Sequence, residues 1–205
     1  MLHLETVEPS TLDIIKRIQG FKEFENLRLV GGTGLALHFG HRISVDIDLF
    51  GDFSCDDLTI MKLLNKVGQT SIINQSSNIK IFQIEGVKTD IVNYHYPWLK
   101  NPLFLNDIVL ADIEDIAAMK LSAITGRGTK KDFVDLFFLL KKFTLKEMLS
   151  MYLQKYQDGS EFLVVKSLAY FDDADEQEDC QMLIDVNWKD VKAYIISEVQ
   201  KYIKS

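Results

Sequence analysis

Asp46 and Asp48, in the run Ser44-Val45-Asp46-Ile47-Asp48-Leu49-Phe50, are two carboxylates two residues apart. On a β-strand such residues project from one face. Val45, Ile47 and Leu49 around them are apolar and β-favouring, so the reading is a strand from Ile43 to Phe50 with its other face buried. Like charges beside a buried sheet are costly unless a cation lies between them. A hard divalent ion such as Mg²⁺ answers that need, because it binds through one or two carboxylates plus substrate phosphates. Shortly upstream, Gly31-Gly32-Thr33 opens a helix ending at Gly40, and free backbone N–H groups at a helix start suit phosphate. Metal ligands beside a phosphate cradle point to a nucleotide-handling enzyme.

A third carboxylate, Asp90 in Lys88-Thr89-Asp90-Ile91-Val92, falls on the second strand of a hairpin whose turn is Glu85-Gly86. Three carboxylates on neighbouring strands would serve two-metal phosphoryl transfer, one of them accepting the proton of an attacking hydroxyl. Lys120 lies in the middle of the apolar face of a helix from Ile113 to Thr125, with Arg127 on the same side. A lysine so placed either snorkels to water or meets an anion, and a nucleotide phosphate is the sharper reading. Asp132 and Asp135 follow at i, i+3 in Lys131-Asp132-Phe133-Val134-Asp135-Leu136. They read either as groups that fix Lys120 or Arg127 or, for Asp132, as a helix cap. His38, His41 and His95 have no ligand spacing, and none reads as catalytic.

The elements that must position these residues form an ordered series. A helix starting at Pro9-Ser10-Thr11, a strand at residues 27–30 and the Gly-Gly helix precede the aspartate strand. A helix capped by Asp56 or Asp57, strands at 79–84 and 87–94 and a strand at 108–111 follow. Beyond these the chain reads as helices at 113–125, 130–140, 145–156, 161–170 and 188–203. This is an α+β pattern: a small mixed sheet with flanking helices, then a helical C-terminal part. The division expected is a core over residues 1–112 with a helical region, 113–205, packed on it.

The chain has 205 residues and a net charge of −7. Six of the acidic groups lie in one short run, Asp172 to Asp179, and without them the chain is close to neutral. Between Lys120 and Lys146 seven basic residues face two aspartates, a locally basic segment suited to a triphosphate or polyanion. If it guides RNA, Lys130, Lys141 and Lys142 contact phosphates and the acidic run lies on another face or in a mobile loop. No segment has the length and hydrophobicity of a membrane span or signal peptide. Cys55 and Cys180 are widely separated, and a reducing cytoplasm is the simplest setting.

In these motifs the chain resembles the AbiEii/AbiGii-type toxin nucleotidyltransferases of the polymerase β-like superfamily. The resemblance rests on Gly31-Gly32-Thr33-Gly34-Leu35-Ala36-Leu37, Arg42 to Phe50, Thr89-Asp90-Ile91-Val92, and Ala118-Met119-Lys120 through Arg127 to Leu136, in that order. It implies the nucleotidyltransferase fold and Mg²⁺ (two ions, with Mn²⁺ as a substitute) at Asp46, Asp48 and Asp90. It implies NTP bound at Gly31, Gly32, Thr33, Lys120 and Arg127, with Lys131, Asp132 and Asp135 as supporting groups. The implied reaction passes a nucleoside monophosphate to a hydroxyl acceptor, RNA such as tRNA or a protein, with loss of pyrophosphate. A toxin role in phage defence beside a separate antitoxin is implied as well. A two-metal nuclease and a catalytically silent nucleotide-binding module are the competing readings; the Gly-Gly-Thr turn and Lys120 argue against the first, and the complete aspartate set against the second.

Overall fold

Alternation of apolar and polar residues in the aspartate strand sets the geometry of the molecule. The computed structural model describes residues 2–204. Its first half runs α1 (Pro9–Gln19), β1 (Arg28–Leu29), α2 (Gly31–Phe39), β2 (Ile47–Gly51), α3 (Asp57–Val67), β3 (Thr70–Gln75), β4 (Ile79–Ile84) and β5 (Val87–Asn93). The short pair β6 (Leu103–Leu105) and β7 (Ile108–Leu110) completes a seven-stranded sheet of order β3-β4-β5-β2-β1-β7-β6. The sheet is mixed: β2 is parallel to β5 and β1 to β7, and the other neighbours are antiparallel. Helices α4 (Ile113–Gly126), α5 (Lys130–Lys142), α6 (Leu145–Lys155), α7 (Glu161–Ser167), α8 (Asp172–Asp175) and α9 (Trp188–Lys204) follow.

Local chemistry explains the boundaries. Glu85 and Gly86 both have positive φ, 48° and 84°, as the tight hairpin between β4 and β5 requires. Asp56 caps α3 by accepting from the Thr59 N–H, and Gly40 ends α2 in the left-handed conformation. Thr129 with Asp132, and Thr144 with Glu147, form capping boxes at the starts of α5 and α6.

Two apolar clusters make the interior. One draws on residues 7–110, the sheet with α1 and α3. The other joins Val30, Leu35 and Ala111 to the helices that follow, through residue 199. Val30 and Leu35 flank the Gly-Gly turn, so the start of α2 stands on the seam between the clusters.

The sequence reading differs from the structure in several places. The aspartate strand begins at Ile47, not Ile43, and Val45 is 59% exposed. Residues 43 and 44 instead bond outside the sheet, Ile43 N–H to Gln181 O and Ser44 N–H to Thr6 O. β3, mostly polar, and β6, apolar but only three residues long, offer no periodic pattern to read and lie at the two edges of the sheet. The acidic run contains the short α8, and it does not lie apart from the basic segment. Lys130 is buried and reaches Asp179 at 3.1 Å and the Gln177 carbonyl. Lys130 is therefore unavailable to RNA, because the acidic run neutralises it. Among the described residues no helix is long and apolar enough to cross a membrane.

Candidate active site

Asp48 stands directly opposite Asp90 in the parallel register of β2 and β5. Ile47 and Leu49 on one strand, and Thr89 and Ile91 on the other, are buried on the far face, so both carboxylates turn to the same side. Asp46 lies one residue before β2. The Thr33 hydroxyl fixes that approach by bonding the Asp46 carbonyl and, at 2.9 Å, the Ser44 hydroxyl. Thr33 is itself fully buried, backbone and side chain together, so it serves the site by holding this approach in place and not by touching a ligand. All three aspartates line one small hollow with Gly32, Lys88, Lys120, Arg127 and Lys131. Asp48 and Asp90 also border a larger cavity of about 830 Å³.

The carboxylates differ in surroundings. Burial, and then the charge of Asp90, push the Asp48 carboxyl up to about 6. Lys88 bonds Asp90 at 2.6 Å, and Lys131 reaches Asp46 at 3.3 Å. Lys88 precedes Asp90 by two residues on the same strand face, a signal the sequence carried and the motif reading passed over. Among the described residues no three acidic, histidine or cysteine side chains are gathered into a finished metal cage. The donor set nonetheless suits a hard cation: oxygen ligands only, one carboxyl whose ionisation burial and Asp90 oppose, and lysines paired with the other two.

Gly31 explains why the turn is glycine. Its φ is +67°, and a Cβ there would fall 1.9 Å from Asp48 Oδ2. At Gly32 a Cβ would lie 2.3 Å from Arg42 Nη2. Both glycines let backbone approach the charged groups closely.

Behind the hollow lies a buried charge network. Lys120 neither snorkels nor stands alone: its Nζ donates to Asp132 Oδ1 at 2.9 Å and Asp135 Oδ2 at 2.8 Å. Burial opposes its charge, but Asp135 and Asp132 raise its pKa overall. Arg127 Nε donates to Asp132 at 3.1 Å. Asp132 thus both fixes the cations and caps α5, so the two roles read for it coexist. Burial alone would raise the Asp132 carboxyl, yet Lys120 and its other partners hold it at about 2. Asp135 is fully buried and receives Arg42 Nε at 2.7 Å, Arg42 Nη2 at 3.0 Å and His41 Nε2 at 2.8 Å. The charge of Lys120, then that of Arg42, and the hydrogen bond from His41 hold it well below the usual carboxylate range despite burial.

Arg42 and His41 are thus parts of the site's support that residue-type reasoning missed. Arg42 stood in the motif run, but its partner Asp135 is 93 residues away. A second buried pair was also hidden: Lys155 Nζ bonds Asp115 at 2.6 Å at the far side of the large cavity.

A family model described as nucleotidyl transferase AbiEii toxin, type IV TA system, matches residues 13–103 and 100–201. The uncharacterized protein aq_aa25 of Aquifex aeolicus (strain VF5) is 38% identical over 185 residues, covering 86% of this chain and 88% of that protein. Among solved structures, a candidate nucleotidyltransferase from H. pylori is similar with a TM-score of 0.65 at 18% identity, over 95% of this chain and 92% of that one. MenT4, nucleotidyltransferase toxin Rv2826c from Mycobacterium tuberculosis H37Rv, has a TM-score of 0.62 at 13% identity, over 92% of this chain and 80% of that one. At those identities the structural likeness is one of fold. The family match, by contrast, runs through both halves of the sequence and across every residue of the site: the chain belongs to the AbiEii family of nucleotidyltransferase toxins of type IV toxin–antitoxin systems.

Proposed function

We propose that this nucleotidyltransferase passes a nucleoside monophosphate from an NTP to a hydroxyl acceptor, RNA such as tRNA or a protein. In that reaction the bond between the α-phosphorus and pyrophosphate breaks as a bond to the acceptor oxygen forms. The hydroxyl proton passes to a carboxylate, for which Asp90 is our choice. The observation that carries this reading is the register of Asp48 on Asp90 beside a large cavity, with the start of α2 at its edge.

Asp46, Asp48 and Asp90 would hold Mg²⁺, two ions in our reading, with Mn²⁺ as a substitute. When bound, the metal offsets the carboxylate and phosphate charge and polarises the phosphoryl group transferred. The chain's own groups do the rest. First-turn N–H groups of a helix have no partner within it, and those at Gly31 and Gly32 would take triphosphate oxygens, with buried Thr33 bracing the turn behind them. Lys120 spends two of its three N–H donors on Asp132 and Asp135, leaving the third for a phosphate. Arg127, more exposed, would add a second cation. Lys131, 3.3 Å from Asp46, would balance that carboxylate's charge in the protein without metal. Asp132 and Asp135 keep both cations oriented whether or not nucleotide is bound.

We further propose cytoplasmic action, opposition by a cognate antitoxin and a role in phage defence, in keeping with the family. Incubating the protein with α-labelled NTPs, Mg²⁺ and total RNA and protein tests the reaction. Label on RNA or protein supports transfer and identifies the acceptor. Shortened RNA would favour a two-metal nuclease, and neither outcome a silent nucleotide-binding module.

A further inference from the structure

The large cavity has a second half that the phosphate chemistry leaves unused. The strand face bearing Asp48 continues through Phe50, and that bearing Asp90 continues to Tyr94, just past the end of β5. Successive same-face residues on a strand are about 7 Å apart, so one step separates Asp48 from Phe50 and two separate Asp90 from Tyr94. The Phe50 and Tyr94 ring centroids are 5.3 Å apart, Tyr94 and Tyr96 are 5.4 Å apart, and Tyr96 meets Tyr156 edge-on at 4.8 Å. All four rings border the cavity, and Tyr96 is 53% exposed.

This wall is held in place. The Tyr94 and Tyr156 hydroxyls are hydrogen-bonded at 2.8 Å. Lys155, fully buried, donates to Asp115 and, at 2.8 Å, to the Pro97 carbonyl, and its Nζ lies 4.5 Å from the centre of the Trp98 ring. Asp115 in turn accepts from the backbone N–H groups of Leu99 and Lys100. One buried ion pair therefore pins the segment after β5 to α4 and α6, and the rings are ordered before any ligand arrives.

We propose that this aromatic wall is the subsite for the nucleobase of the NTP donor, with the base stacked on Tyr96. The inference rests on the nucleotide reading of the carboxylate end. The order along the cavity, carboxylates and helix start and then rings, follows the order of phosphates and then base in a nucleotide. A cavity of about 830 Å³ is within the range that encloses a ligand of this size. Flat rings favour a π-faced ligand, and every base has a face to stack on them.

The test is calorimetric titration of the full chain with Mg²⁺, using each of the four NTPs and, separately, inorganic tripolyphosphate. Wild type, Tyr96→Ala and Tyr96→Phe are compared. The subsite predicts that Tyr96→Ala weakens the best NTP about 10-fold or more, leaves tripolyphosphate unchanged, and that Tyr96→Phe keeps wild-type affinity. Equal NTP affinity in Tyr96→Ala and wild type overturns the subsite while sparing the nucleotide reading. Equal loss of tripolyphosphate binding overturns it too. Wild type binding neither probe overturns the nucleotide reading itself, and the subsite with it.

Discussion

Asp48 and Asp90 are paired across β2 and β5, and Gly31 closes on Asp48 from the start of α2, where no side chain fits. Two carboxylates and a bare backbone thus share one small space. The crowding shows in the Asp48 carboxyl, which titrates near 6 because of burial and then Asp90. Its folded value lies above the ordinary 3.8, so the folded protein holds the proton more tightly than the unfolded chain. The charge therefore costs stability as pH rises from about 4 through 6, and the cost is complete above that window. Without divalent metal, Asp48→Asn should be more stable than wild type at pH 8, by roughly 3 kcal/mol. The gain should vanish below pH 4. Denaturant melts at both pH values check this, and equal stability at pH 8 would mean the carboxyl is not strained.

Asp135 carries the opposite sign. Arg42, His41 and Lys120 converge on it, and they hold its pKa far down. Asp132, held at about 2, behaves likewise. Both contribute stability that is present above the ordinary carboxylate range and lost as pH falls below 4 toward their folded values. Asp135→Asn should cost about 3–5 kcal/mol at neutral pH, since it strands buried cations. Its melting temperature should also depend less on acid than that of wild type, which thermal scans between pH 2 and 7 would show.

Lys120→Met should destabilise the protein. From its place in an apolar helix face, Lys120 reads as a lone charge whose removal would help. Its two aspartate partners reverse that sign, because they would be left buried without their cation. A loss of about 3–5 kcal/mol is expected, and chemical denaturation measures it. A gain in stability would contradict the network.

Gly31→Ala should lose activity and stability together. The left-handed φ alone costs about 1–3 kcal/mol for a residue with a side chain, and the added Cβ would collide with Asp48 Oδ2. Gly86→Ala, also at positive φ but in open space, should show the strain and keep activity. Transfer assays on the two variants separate conformational strain from the collision.

The candidate site residues could be picked out in the sequence because their signals are local. Asp46 and Asp48 alternate along a single run, Asp90 follows a Glu-Gly turn, and Asp132 and Asp135 lie on one helical face. The sequence also indicated a mixed sheet followed by helices. What it hid were pairs joined only by the fold. His41 meets Asp135 across 94 positions, and Asp115 meets Lys155 across 40. Lys130 looked like a free surface cation until the acidic segment, 49 positions on, folded against it. The aromatic wall was invisible for the same reason: Tyr94 and Tyr156 are 62 positions apart. Polar edge strands such as β3 give no periodic apolar signal to read.

The proposal that Asp46, Asp48 and Asp90 form the metal-dependent centre of nucleotidyl transfer can be checked by following transfer of α-label from NTP to acceptor, with matched pyrophosphate release, in wild type and in folded Asp48→Asn. Wild type should transfer in a Mg²⁺-dependent way, abolished by chelator, and Asp48→Asn at least 100-fold more slowly, on the order of 3 kcal/mol in the barrier. Full transfer by purified Asp48→Asn would contradict it.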